Sequence, residues 1–150
     1  MLIMSGFRAD SPEATVASFN PDVAIVDTLV AHGYTKRHAQ FWVKVARMES
    51  NKYHSILYKY HNNMWGMSYL PPNKARRPTN SSYRVYHNDK PTRFAGYQTK
   101  QLAIQEIVFY LEAANYPKDF KDLDTFILYM KNKGYFEEPF DYYKNALKNV

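Results

Sequence analysis

A chain of 150 residues has room for one ordinary domain built around one core. With 45% hydrophobic and 23% charged residues it is globular rather than disordered, and its lack of cysteine excludes a disulfide framework, a thiolate metal site and a thiol nucleophile. The formal net charge of +6 is unevenly spread: between Ser68 and Tyr97 six basic residues (Lys74, Arg76, Arg77, Arg84, Lys90, Arg93) stand against a single acid, Asp89. A patch of that kind suits an anionic partner such as an acidic wall polymer, a nucleic acid or another protein, or else a solvated loop.

Residues 1–20 have no steady period and read as an N-terminal arm, leaving 21–150 as the domain. The opening "MLIMSGFRAD" is too briefly apolar for a signal-peptide core, and no stretch approaches the length of a membrane span. Asn20 caps a first predicted helix, with Pro21 in its first turn, Val23, Val26, Leu29 and Val30 as its apolar face, and Gly33 as its stop. Thr35 caps a second, whose apolar side is Phe41, Trp42, Val45, Ala46 and Met48 and which ends between Glu49 and Lys52. "SILYKY" reads as a short helical or turning piece. Residues 68–98 change character: Pro71, Pro72, Pro78 and Pro91 fall here, and "SSYRVYHND" alternates as a short strand or hairpin would. Helices resume at Thr99 with Leu102, Ile104, Ile107, Val108 and Leu111 on one face. Leu123, Phe126, Ile127 and Met130 mark a shorter one that stops at Gly134. Pro139 opens a last helix with Phe140, Tyr143 and Leu147 inward. The expected fold is α+β and mainly α, about five helices with a small irregular or β lobe inserted among them.

Several chemistries find no support. The five histidines, His32, His38, His54, His61 and His87, form no metal-ligand spacing with a carboxylate, and five glycines in all supply no phosphate loop. Tyr83 and Tyr86 beside the basic patch would stack on bases or on sugar faces equally well, so a nucleic-acid partner is the weaker reading.

Glu49 draws attention by its place. A carboxylate at the end of the second helix meets the negative end of the helix dipole, and Trp42, Met48, Tyr53 and Trp65 offer apolar surroundings; both raise its pKa. A carboxylic acid that keeps its proton near neutral pH is what glycosidic bond cleavage needs, because the leaving oxygen must be protonated. Taken alone, a glutamate at a helix end is more often a solvated surface charge.

Its neighbours carry more weight. Ala46, Glu49, Ser50, Ser55, Asn62, Asn63, Trp65, Gly66 and Met67 stand without a gap on the pattern Ala-x-x-Glu-Ser, Ser, Asn-Asn-aromatic-Gly-apolar. That pattern resembles the signature of the glucosaminidase family of peptidoglycan hydrolases, which includes the flagellar rod cap muramidase domain and many autolysins. "RFAGYQT" is similar to the family's Phe-x-x-Tyr-x-Ser element through Phe94, Tyr97 and Thr99. "YMKNKGYFEEPFDYYKNAL" is similar to its closing element through Gly134, Tyr135 and Tyr143. The resemblance spans about residues 22–149.

It implies a lysozyme-like domain with a cleft between a helical lobe and a small lobe, no metal or cofactor, and the β-1,4 glycan strand of peptidoglycan as substrate, cut after N-acetylglucosamine. Glu49 would be the general acid. Tyr97 would stand near the bond being cut and Asn63 beside it in the cleft, with Ser55, Asn62, Trp65 and Phe94 as further substrate-binding candidates. The chain departs from the pattern where Asn51 and Tyr53 replace the usual glycines and Ser68 the usual basic residue. The family's second carboxylate, expected in the small lobe, has one candidate there, Asp89. Otherwise the substrate's own acetamido group attacks, or catalysis is lost. The alternative expectation is a structural or assembly protein of a phage virion built on this fold, reaching the wall without a signal peptide and docking other virion proteins through its N-terminal arm.

Overall fold

In the computed structural model, which describes residues 18–150, each predicted helix start has a local cause. Asn20 accepts from the Val23 N–H and Pro21 opens α1 (Pro21–Ala31); Thr35 accepts from the His38 N–H and opens α2 (Lys36–Glu49). "SILYKY" becomes a true helix, α3 (Ile56–His61), because Ser55 caps it. β1 (Tyr83–His87) and β2 (Lys90–Gly96) form an antiparallel hairpin. Thr99 caps α4 (Lys100–Ala113), Asp122 caps α5 (Leu123–Asn132), and Pro139 precedes α6 (Phe140–Lys148). The described residues therefore build a mainly helical α+β fold with six helices and one two-stranded sheet, the class expected. None of these helices is long and apolar enough to cross a membrane. The N-terminal arm expected over residues 1–20 lies, as far as residue 17, outside the described residues.

The helices enclose a core centred on Trp42, which is wholly buried and meets Trp65, Tyr110, Phe126 and Tyr135 edge-on. Its indole N–H donates to His38 Nε2 at 3.0 Å, which leaves Nδ1 protonated to face the Lys118 carbonyl. Burial holds the His38 pKa down to about 4, so the ring is a neutral core member rather than a ligand.

One predicted face needs correcting. In α1 the buried residues are Ile25 and Leu29, while Val23 and Val30 are about half exposed (53% and 45%). Apolar residues surround this helix, so periodicity does not choose a face. Its packing against α2 and α4 selects the Ile25–Leu29 pair, one turn apart.

The small lobe runs from Asn62 to Tyr97 and hangs on two devices. At its base Gly96 lies under the Tyr83 ring, where an added Cβ would come within 2.2 Å of ring carbons, so only glycine allows the hairpin to close there. At its far side the irregular segment is pinned to α4 by Glu106. This carboxylate is fully buried and accepts from Arg77 at 2.7 Å, from Thr79 Oγ1 at 2.8 Å and from the Asn80 N–H at 2.6 Å. The basic stretch is thus partly neutralised by an acid that lies outside it in sequence.

Candidate active site

Between the lobes lies a cleft of about 550 Å³. The helical side contributes Glu49 from the last turn of α2, Leu57 from α3, Tyr110 from α4, and the α5–α6 connection, Gly134 to Glu138. The small lobe contributes Trp65 to Ser68, Leu70 and Arg77, and β2 adds Arg93 and Phe94. Aromatic faces, two arginines and three glutamates therefore share one concave surface, a composition suited to sugar rings bearing charged substituents.

Glu49 is placed by a sequence of local constraints. Ser50 is buried, and its hydroxyl donates to the Ala46 carbonyl at 2.6 Å while accepting from the Tyr53 N–H at 2.8 Å. This ends α2 at Glu49 and starts a tight turn in which Asn51, Lys52 and Tyr53 all have positive φ (52°, 54° and 67°). The usual glycines of the resembling pattern fall at the first and third of these positions. Here the side chains offset the backbone strain instead: the Tyr53 hydroxyl donates to Asp22 at 2.7 Å, Asp22 pairs with Arg47, and the Tyr53 ring lies against Tyr58. Lys52 is exposed, and no hydrogen bond from its side chain to a described residue offsets its strain. Lys52→Gly is therefore expected to stabilise the fold by about 1 kcal/mol, raising the thermal midpoint by a few degrees in calorimetry.

The Glu49 side chain is exposed where it opens onto the cleft, and one protein hydrogen bond among the described residues reaches its carboxylate. The Tyr143 hydroxyl donates to its Oε2 at 3.3 Å, and Tyr143 is itself fixed by face-to-face stacking on Phe136 at 3.9 Å. Loss of surrounding water pushes the Glu49 pKa above its ordinary 4.5, and the negative charge of Glu138 acts in the same sense. The Tyr143 hydrogen bond and the positive Arg93 oppose the rise without cancelling it.

The other sequence candidates divide into two groups. Trp65 and Phe94 border the cleft with Glu49, but Trp65 is a core residue only 3% exposed, its indole donating to the Trp42 carbonyl at 3.1 Å, so Phe94 is the more accessible of the two rings. Ser55, Asn62 and Asn63 build the frame. Ser55 caps α3; Asn62 ends it in a left-handed conformation (φ 60°), donates to the Tyr97 carbonyl at 2.8 Å and accepts from Lys100 at 2.9 Å. Asn63 is buried and spends its amide on the Met67 and Ala95 carbonyls, both at 2.9 Å, and on the Met67 N–H at 3.0 Å. Both asparagines therefore clamp the Trp65–Met67 turn against β2 and the start of α4.

Tyr97 and Asp89 stand apart. Tyr97 is buried behind β2 and is not among the cleft-lining residues. Its hydroxyl faces Ser81 and Glu106 without a well-formed hydrogen bond among the described residues, and burial raises its pKa. Asp89 sits with Asn88 at the hairpin tip, where the φ values of 61° and 50° describe the primed turn that antiparallel strands favour; it too is absent from the cleft lining. The acids that do line the cleft with Glu49 are Glu137 and Glu138. Their signal in the sequence is their position directly after Gly134-Tyr135-Phe136 in the closing element, on the opposite side of the chain from the small lobe. Among the described residues no group of three or more histidines or acids is arranged to hold a metal ion. Comparison of the chain with protein-family models, with curated proteins and with solved structures returned no match, so the functional reading rests on the cleft itself and on the motif resemblance.

Proposed function

We propose that this protein is a peptidoglycan hydrolase that cleaves the β-1,4 glycan strand, with Glu49 as general acid. The observation that carries the reading is a single one: a helix-end carboxyl, raised in pKa by its surroundings, opens into a cleft lined with aromatic rings. Sugar rings stack on such faces, and a protonated carboxyl beside the glycosidic oxygen supplies the proton that the leaving group requires. Arg93 on the small-lobe side suits the carboxylates carried by wall polymers. The glucosaminidase-like pattern supports a cut after N-acetylglucosamine within a lysozyme-like domain.

The test is digestion of purified peptidoglycan from several wall types, followed by borohydride reduction and identification of the new sugar ends. Reduced N-acetylglucosamine is the expected product. Reduced N-acetylmuramic acid would keep the acid and move the bond. Release of neither from any wall would overturn the hydrolase reading and favour an assembly role in a virion.

A further inference from the structure

The resembling pattern places its second carboxylate in the small lobe, and that lobe puts no acid on the cleft: its one acid, Asp89, is at the hairpin tip. The helical side puts two there beside Glu49, Glu137 and Glu138. Resting on the hydrolase reading, we propose that Glu138 is the second carboxylate of the reaction and acts as general base on the attacking water.

Three features single it out. Glu138 borders the same cleft as Glu49, on the connection between α5 and α6. That connection is held firm: the Lys131 ammonium donates to the carbonyls of Glu137 at 3.3 Å and Glu138 at 2.8 Å, and Pro139 follows as the cap of α6. The helix that Glu138 precedes also carries Tyr143, which donates to Glu49, so the backbone at Glu138 leads directly into the element that contacts Glu49. Glu138 lies close enough for its charge to act on Glu49, whereas no such effect arises from Glu137.

Base rather than nucleophile follows from its surroundings. A nucleophile must be held against the anomeric carbon by hydrogen bonds that fix its orientation. The Glu138 side chain is exposed, and among the described residues no donor hydrogen-bonds or ion-pairs with its carboxylate. Such a group keeps a water in its hydration shell and can deliver it. In the step, the Glu49 carboxyl gives its proton to the glycosidic oxygen as the bond from that oxygen to the anomeric carbon breaks. The water oxygen bonds to the same carbon from the opposite face, and Glu138 takes the water's proton. Glu49 and Glu138 then exchange protons with solvent, and the product has inverted configuration.

The experiment compares wild type, Glu49→Gln, Glu138→Gln and Glu137→Gln on purified peptidoglycan, with anomeric configuration followed by proton NMR and each variant's fold checked by circular dichroism. Because Glu138 is exposed, Glu138→Gln should fold normally. Its expected result is a loss of about 10²- to 10⁴-fold in kcat with KM little changed, and rescue by azide to give an inverted glycosyl azide. An active wild type, silent in Glu49→Gln but unimpaired in Glu138→Gln, would overturn this proposal and leave the hydrolase reading standing. So would retained configuration, or a loss confined to Glu137→Gln. A wild type that cuts no wall fails the underlying reading and takes the proposal with it.

Discussion

Glu49→Gln is expected to lower the rate of glycan cleavage by about 10²- to 10⁴-fold without unfolding the protein. Glutamine has nearly the same shape, can still accept from the Tyr143 hydroxyl and occupies the same opening onto the cleft, but it has no proton to give. The loss should therefore fall on kcat more than on substrate binding. In the wild type the acid must be protonated to act. Activity should decline as pH rises through the Glu49 pKa, and this limb should lie above 4.5 because the surroundings raise that pKa. Tyr143→Phe removes the one hydrogen bond that opposes the rise, so it should move the limb further toward alkaline pH. An unmoved limb would mean that another group sets it.

The largest effect on stability is expected from Glu106→Ala. This carboxylate is the only tie between α4 and the Arg77–Asn80 segment that satisfies a guanidinium, a hydroxyl and a backbone N–H at once. Removing it leaves Arg77, itself only 15% exposed, without its charge partner and the Asn80 N–H without its acceptor, while the Thr79 hydroxyl keeps Ser81 Oγ at 3.0 Å. Breaking one side of a buried pair costs about 3–5 kcal/mol. Arg77 borders the cleft and can turn toward water, which places the expectation near the lower end of that range. The shift would be read from the urea midpoint at unchanged slope. Glu106→Gln keeps an acceptor and should cost less. Equal and small losses in both variants would mean that the small lobe is held by its hairpin and the Asn63 clamp instead.

The two variants probe different levels of the molecule, and the levels differed in how plainly the sequence showed them. Helix boundaries were readable because capping chemistry is local: Asn20, Thr35, Ser55 and Thr99 each satisfy an N–H three residues on. The buried face of α1 was not readable, since its choice depends on where α2 and α4 lie. The same division runs through the site. Glu49 could be picked out because a helix end is itself a local electrostatic feature. Trp65 and Phe94 reach the cleft beside it, while the roles of Asn62 and Asn63 as clamps follow only from seeing Met67, Ala95 and Tyr97 come alongside them.

Glu138 shows the limit most clearly. It is 89 positions from Glu49, so only the packing of α6 against α2 reveals that their charges meet. Glu106 is the converse case. It looks like a solvated charge on a helix with a strong apolar face, and its burial depends on three donors supplied from a proline-rich segment earlier in the chain.

The hydrolase reading depends on a Glu49 pKa raised by its surroundings. The most direct measurement is a pH titration of the glutamate side-chain carboxyl carbons by NMR, with Glu49→Gln used to assign the resonance. The expected result is a Glu49 midpoint above 4.5, falling when Glu138 is neutralised to glutamine. A midpoint at or below 4.5 would mean that the carboxyl is solvated and ionised like any helix-end charge, and would contradict its role as the acid.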